Sequence, residues 1–352
     1  MNQSSTTFDF KTGAGNFFED YRIGQTIRHA VPRTATEGDR ALYTALYPSR
    51  FALYSSDEFA RASGLARSPL EDLIGFHIVF GKTVPDVSLN AVANLGYAEG
   101  HFLAPVYPGD TLTSVSEVIG LKENSNGASG VVYVRTTGFR QDGAPVMRYV
   151  RWVMVRKRDR AAPAPETVIP ALASVVAPEH LVVPEGLDFS NYDSDLAGAR
   201  HRWGDYAVGE LIDHVDRVTI EEAEHMMATR LWQNTSKVHF DATLREDGRR
   251  LIYGGHVISL ARALSYNGLG NAQMIAAINA GAHANPCFAG DTVGAWTEVR
   301  DIAETANPSV GALRLRLVAY TKEAEPFALK DESGRYSKGV LLDLDYWALL
   351  PK

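Results

Sequence analysis

The chain writes one pattern twice, and that repetition limits the folds open to it more than any other feature. "FFEDYRIGQTI" (Phe17 to Ile27) returns as "RWGDYAVGELI" (Arg202 to Ile212), with Asp20, Tyr21, Gly24 and Ile27 matched by Asp205, Tyr206, Gly209 and Ile212 at one constant spacing. "APVYPGDTL" (Ala104 to Leu112) returns as "NPCFAGDTV" (Asn285 to Val293), and between these anchors "IGFHIVF" answers "YGGHVIS", with His77 opposite His256. Three anchors in the same order imply a duplication. The 352 residues therefore divide into two units of ordinary domain size: residues 1–158, a Pro- and Ala-rich linker over 159–200, and residues 201–352.

The halves share an order of elements. A short polar-apolar segment follows D-Y-x-x-G, then a stretch with helical spacing, then several strands. "GGHVISLARALSY" puts Val257, Leu260, Ala261 and Leu264 on one face, which predicts a buried helix beginning at paired glycines. "GVVYVRTTGFRQDGAPVMRYVRWVMVRK" reads as two long strands joined at "QDG". "GALRLRLVAYTK" alternates Leu313, Leu315 and Leu317, a strand with one buried face. A central helix wrapped by a long antiparallel sheet, occurring twice, is an α+β arrangement.

With 45% hydrophobic and 22% charged residues the chain can bury a full core. Its net charge of −7 argues against nucleic acid or an anionic membrane as a partner. No apolar run approaches a membrane span, and "MNQSSTTFDFKTG" lacks the pattern of a secretory leader. A single cysteine, Cys287, excludes an internal disulfide, fits a reducing compartment and is expected in a core strand. A cytoplasmic protein is the expectation. No P-loop, G-x-G-x-x-G, H-E-x-x-H or C-x-x-C occurs, so neither a metal nor a nucleotide cofactor is expected.

The chemistry concentrates in "NTSKVHFDATL", Asn234 to Leu244. An imidazole takes a proton from water near neutral pH, and an amide can hold that water. His239 is thus a candidate base and Asn234 a candidate water holder, with Ser236 close by and Asp241 able to orient the ring or brace the turn. Gly254 and Gly255 open the predicted helix, where exposed N–H groups favour an oxyanion. In the first copy Tyr54 and Ser49 stand opposite His239 and Asn234. One half has kept catalytic groups that the other lacks. His77 and His256 are read as packing or capping residues.

The His-x-Asp element, the glycine-led helix and the later P-[VC]-x-x-G-D-T strand resemble the MaoC-like, or (R)-specific, enoyl-CoA hydratases. The long stretches "FFEDYRIGQTIRHAVPRTATEGD" and "FGKTVPDVSLNAVANLGYAEGHFLAPVYPGDTL" resemble the members of that family that hydrate mesaconyl-CoA. The resemblance implies a tandem, or double, hot-dog fold. It also implies an acyl-CoA thioester substrate with no separate cofactor, and water added reversibly to mesaconyl-CoA to give β-methylmalyl-CoA. It places the catalytic histidine at His239 and the oxyanion glycine at Gly255. The general pattern has Asp and Asn where this chain has Asn234 and Ser236, which leaves His239 as the sole base of the pair. For the substrate's free carboxylate the expected partner is Arg50, with Arg230 and Arg262 as rivals. A homodimer is expected. The alternatives are hydration of another short enoyl-CoA, of the itaconyl or crotonyl type, an acyl-CoA thioesterase, and an inactive thioester-binding module.

Overall fold

The computed structural model describes residues 11–325 and 327–352, so most of the N-terminal stretch read for a leader lies outside the described residues. The first half opens with short strands β1 (Thr26–Arg28) and β2 (Arg33–Thr34), then helices α1 (Glu37–Leu46), α2 (Ala52–Ser55), α3 (Asp57–Ala62) and α4 (Asp72–Thr83). Four long strands follow: β3 (Ala91–Phe102), β4 (Thr111–Glu123), β5 (Ser129–Phe139) and β6 (Pro145–Arg156). The second half repeats the scheme with β7 (Leu211–Thr219), α5 (Glu222–Leu231), α6 (Lys237–Phe240), α7 (Gly254–Leu264) and α8 (Tyr266–Leu269). Its long strands are β8 (Met274–His283), β9 (Thr292–Glu304), β10 (Val310–Thr321) and β11 (Val340–Pro351).

All eleven strands join one antiparallel sheet in the order β1-β4-β5-β6-β3-β8-β11-β10-β9-β7, with β2 paired to β4. Read outward from the middle, each half gives the same succession of equivalent strands, the arrangement of two hot-dog units side by side. The seam is short: β3 meets β8 through Tyr97↔Gly281, Ala98↔Ala280, Gly100↔Ile278 and His101↔Ala277. The hairpin expected at "QDG" joins β5 to β6, and Gly143 takes φ +83° in its turn. Only glycine adopts that backbone readily.

Each half wraps its sheet around one helix. In α4 every residue after Asp72 is buried, and so is every residue of α7 after Gly254. A helix apolar all round belongs in the middle of a core. The two helices share that core with Tyr149 of β6 and Leu315 of β10. His77 of α4 bonds Ser259 Oγ (2.8 Å) and the Tyr253 hydroxyl (3.2 Å), while His256 of α7 bonds the Tyr47 hydroxyl (3.1 Å). Both histidines are buried polar links between the halves, and burial pushes each down to about 3, so they are neutral.

Residues 159–200 do not behave as a loose linker. Val176, Leu187, Phe189, Tyr192 and Ala197 are buried in a cluster with Phe51, Phe59 and Trp347. Trp347 Nε1 donates to the Val176 carbonyl (3.0 Å), and Val176 N donates to Asn279 Oδ1 (2.8 Å). An extended strap among prolines buries side chains without helical or strand periodicity, so its packing leaves no repeat in the sequence. Each large apolar group so buried contributes about 1.5–3 kcal/mol. No described helix is long and apolar enough to cross a membrane.

Candidate active site

A cavity of about 300 Å³ opens between the two halves. The second half lines it with Asn234, Ser236, His239, Tyr253, Gly254 and His283; the first half contributes Phe80, Asn94, Tyr97 and Arg151.

The catalytic loop is held from behind by the other half. Gly81 of α4 lies so close to it that a Cβ there would sit 1.8 Å from the Trp232 carbonyl oxygen. Trp232 is buried and its ring stacks on His77, centroids 4.9 Å apart. Gln233 then takes φ +52°, an uncommon conformation for a residue with a side chain. That turn delivers Asn234, whose Oδ1 accepts from Ser236 N (3.1 Å). The Nδ2 donor of Asn234 has no protein partner among the described residues, which suits it to hold water.

His239 sits on the four-residue helix α6. Its Nδ1 lies 2.7 Å from the Leu251 carbonyl. A carbonyl only accepts, so the ring proton is on Nδ1 and Nε2 carries the lone pair. Burial pushes the imidazole down to about 4, against the opposing pull of that carbonyl. His239 is therefore a neutral base of fixed tautomer at neutral pH.

Gly254 and Gly255 are the first two residues of α7, so their N–H groups lack partners four residues back. Gly254 lines the cavity. Gly255 is buried one step further in, and a Cβ there would strike the Tyr253 ring at 2.4 Å. A Cβ on Gly254 would strike His283 at 2.4 Å. Glycine at both positions lets the helix start approach a thioester oxygen. Tyr253 N, one residue before the helix, is satisfied by His225 Nε2 (3.0 Å).

Other sequence candidates lie elsewhere. Asp241 is exposed and accepts from Thr243 N (2.9 Å) and Oγ1 (2.6 Å), which braces the loop and leaves the His239 ring alone. None of the three proposed arginines lines the cavity. Arg50 is exposed, lies over the Tyr266 ring at 4.5 Å and faces Asp216. Arg230 is exposed on α5 in a separate groove with Leu42 and Met227. Arg262 is buried over the Phe51 ring at 3.7 Å and bonds the Ala272 carbonyl; its charge opposes the burial of Glu71. Cys287 lies in the loop between β8 and β9, not in a strand, and lines the cavity with its thiol pushed up to about 12 by burial.

The sequence reading missed several side chains at this cavity, among them Ser88, Asn94, Tyr97, Arg151 and His283. Arg151 had a legible signal, because Met147, Tyr149, Val153 and Val155 mark its parity as the buried face of β6. His283 ends β8, where nothing local distinguishes it; its Nε2 is 3.4 Å from the Tyr97 hydroxyl.

The matching place in the first half is closed. Asp72, at the start of α4, accepts from Tyr54 Oη (2.6 Å) and from Ile275 N (2.6 Å), while Glu71 bonds Ser49. Burial raises both carboxyls, Glu71 to about 7 and Asp72 to about 6. The residual space beside them is about 10 Å³.

The family model described as mesaconyl-CoA hydratase matches residues 8–335. The chain belongs to the mesaconyl-CoA hydratase family. It is 72% identical to a mesaconyl-CoA hydratase of Cereibacter sphaeroides over 97% of this chain and all of that one. It is 58% identical to a β-methylmalyl-CoA dehydratase of Chloroflexus aurantiacus, covering 97% and 99% of the two chains. A crystal structure from Chloroflexus aurantiacus, described as a MaoC domain protein dehydratase, superposes with a TM-score of 0.95 at 57% identity, covering 97% of this chain and 99% of that one. A Mycobacterium tuberculosis protein described as a double hotdog fold superposes at 0.73 and 23% identity over 96% and 99%, which speaks for the fold alone. Members of the family are hydro-lyases by name, and the fold is the double hot-dog that the resemblance implied.

Proposed function

We propose that this family member adds water reversibly across the C=C of mesaconyl-CoA, giving β-methylmalyl-CoA. The observation that carries the mechanism is the His239 tautomer, with Nδ1 spent on the Leu251 carbonyl and Nε2 free at the cavity. Asn234 holds a water against Nε2. As the water oxygen bonds the β-carbon, its proton passes to Nε2 and the π electrons move onto the thioester oxygen. The N–H groups at the start of α7 receive that charge; one such donor is worth about 10²–10³ in rate. The imidazolium then returns its proton to the α-carbon, the enolate collapses, and the net change is one added water. Asn234 cannot carry a proton, so His239 serves as base and then as acid. The names and near full-length identity of the two relatives support the choice of substrate. The thioesterase reading would call for a carboxylate beside His239, where this chain has an amide.

We read the protein as a cytoplasmic homodimer that needs no metal or separate cofactor. Loss of enoyl-thioester absorbance on mixing with mesaconyl-CoA tests the activity; release of free CoA instead would indicate a thioesterase. His239→Ala is expected to slow hydration by about 100-fold or more, and an unchanged rate in the folded variant would remove His239 from the mechanism.

A further inference from the structure

We propose that Arg151, supported by Asn94 and Ser88, binds the free carboxylate of the substrate and sets the preference for a dicarboxylic monothioester. This rests on the hydratase reading and adds the residue that selects among enoyl-CoAs. Arg151 is 0% exposed, yet it has no carboxylate within ion-pairing distance among the described residues. Its Nη2 donates to Thr83 Oγ1 (2.8 Å), while Nε and Nη1 have no partner. A buried charge without a counter-ion is costly, and proteins rarely keep one unless something pairs with it.

The structural alternative is a cation that merely packs. Arg151 lies over the Phe80 ring at 4.3 Å, and Thr83 is the last residue of α4, whose C-terminal end favours positive charge. Those contacts reduce the penalty but engage only one of the guanidinium nitrogens. They also leave the neighbours unexplained. Asn94 has neither Nδ2 nor Oδ1 bonded, and Ser88 Oγ is likewise alone. Arg151, Asn94 and Ser88 supply five of the thirteen unbonded buried side-chain atoms in the described chain, and all three line the cavity that holds His239. β3 and β6 bring Asn94 and Arg151 together, with Asn94 opposite Val153 and Tyr97 opposite Arg151, and Ser88 lies just before β3. Unsatisfied donors gathered on one wall of a cavity mark where an anion goes.

The chemistry favours this wall. In mesaconyl-CoA the free carboxylate is bonded to the β-carbon, the one that water attacks. An anion one bond away repels the incoming oxygen and its electrons. A guanidinium on that carboxylate offsets the repulsion, so its effect is expected in kcat as well as KM. The second half supplies base and oxyanion donors, and the first half supplies the cation.

The test compares mesaconyl-CoA with (E)-2-methylcrotonyl-CoA, in which a methyl group replaces the carboxylate. Wild-type enzyme is expected to prefer mesaconyl-CoA strongly in kcat/KM. In Arg151→Met that preference is expected to collapse by about 100-fold or more, as when a buried charge loses its partner. Arg151→Lys, which keeps the charge and guards against a misfolded Met variant, is expected to lose at least about tenfold of it. Equal losses on both substrates in the folded Lys variant, or no loss on either, would overturn the proposal. So would a wild-type enzyme indifferent to the carboxylate. Failure of the hydratase reading is seen separately, because wild-type protein would then add water to neither thioester.

Discussion

Gly81→Ala perturbs the active site of one half through a helix of the other. A Cβ at this position would lie 1.8 Å from the Trp232 carbonyl oxygen and 3.0 Å from its carbon. Both are backbone atoms, so no rotamer change relieves the clash; the chain at Trp232 and Gln233 must retreat by about 1.5 Å to reach ordinary contact distance. Asn234 follows at once and His239 shortly after. A misplacement near 1 Å in a catalytic group costs about 100-fold in rate, so kcat is expected to fall by roughly that factor. Stability carries two opposed effects. Alanine in a helix interior gains up to about 1 kcal/mol over glycine, whereas overpacking costs about 1–3 kcal/mol. The net expectation is a lower melting temperature despite the better helix former. The measurements are initial rates of mesaconyl-CoA hydration and a thermal melt on the same preparation. An enzyme within twofold of wild-type and more stable than it would refute the contact and the dependence of the loop on α4.

Asn234→Asp is expected to keep the turn, since a carboxylate also accepts from Ser236 N, but to lose the donor offered to water. A rate about tenfold or more lower by the absorbance assay is expected; a faster enzyme would show that a carboxylate works better here. Asp241→Ala removes only the brace on Thr243. Its kcat should stay within about threefold, the cost appearing instead as about 0.5–2 kcal/mol of stability; a 100-fold loss of kcat would place Asp241 in the site after all. Acid should destabilise the protein. Burial holds His77, His225 and His256 near about 3 and His214 near about 4, so the unfolded chain binds more protons than the folded one below pH 6.5. Each such histidine costs about 2 kcal/mol at pH 5 relative to pH 7. Glu71 and Asp72, raised to about 7 and 6, act with the opposite sign but are fewer. A melting temperature higher at pH 5 than at pH 7 would contradict this balance.

The fold was legible because duplication and period survive in the letters. The two D-Y-x-x-G and two G-D-T motifs recur in order, and the apolar runs of "GGHVISLARALSY" and "GALRLRLVAYTK" keep helix and strand spacing. The strap over 159–200 was misjudged because an extended segment buries Phe189 and Tyr192 without any period. Within the site, His239 and Asn234 lie close in sequence and share one loop, so proximity along the chain stood in for proximity in space. Arg151 reaches the same cavity from another half, through strand pairing that sequence distance hides. Charge complementarity predicted that a guanidinium was needed, but the choice fell on Arg50, Arg230 and Arg262, none of which lines the cavity. Its inward parity was the overlooked clue.

The short β3–β8 seam has a consequence for assembly. Base and cation come from unlike halves, so two like halves side by side would hold either two bases or two cations, and neither pair would be a working enzyme. Separate halves mixing freely would form such pairs along with productive ones. Carrying both on one chain removes the choice, because the tether keeps each half's proper partner at high effective concentration. Every molecule that folds is thereby matched, and a titration with a tight-binding enoyl-CoA analogue should find one equivalent per chain.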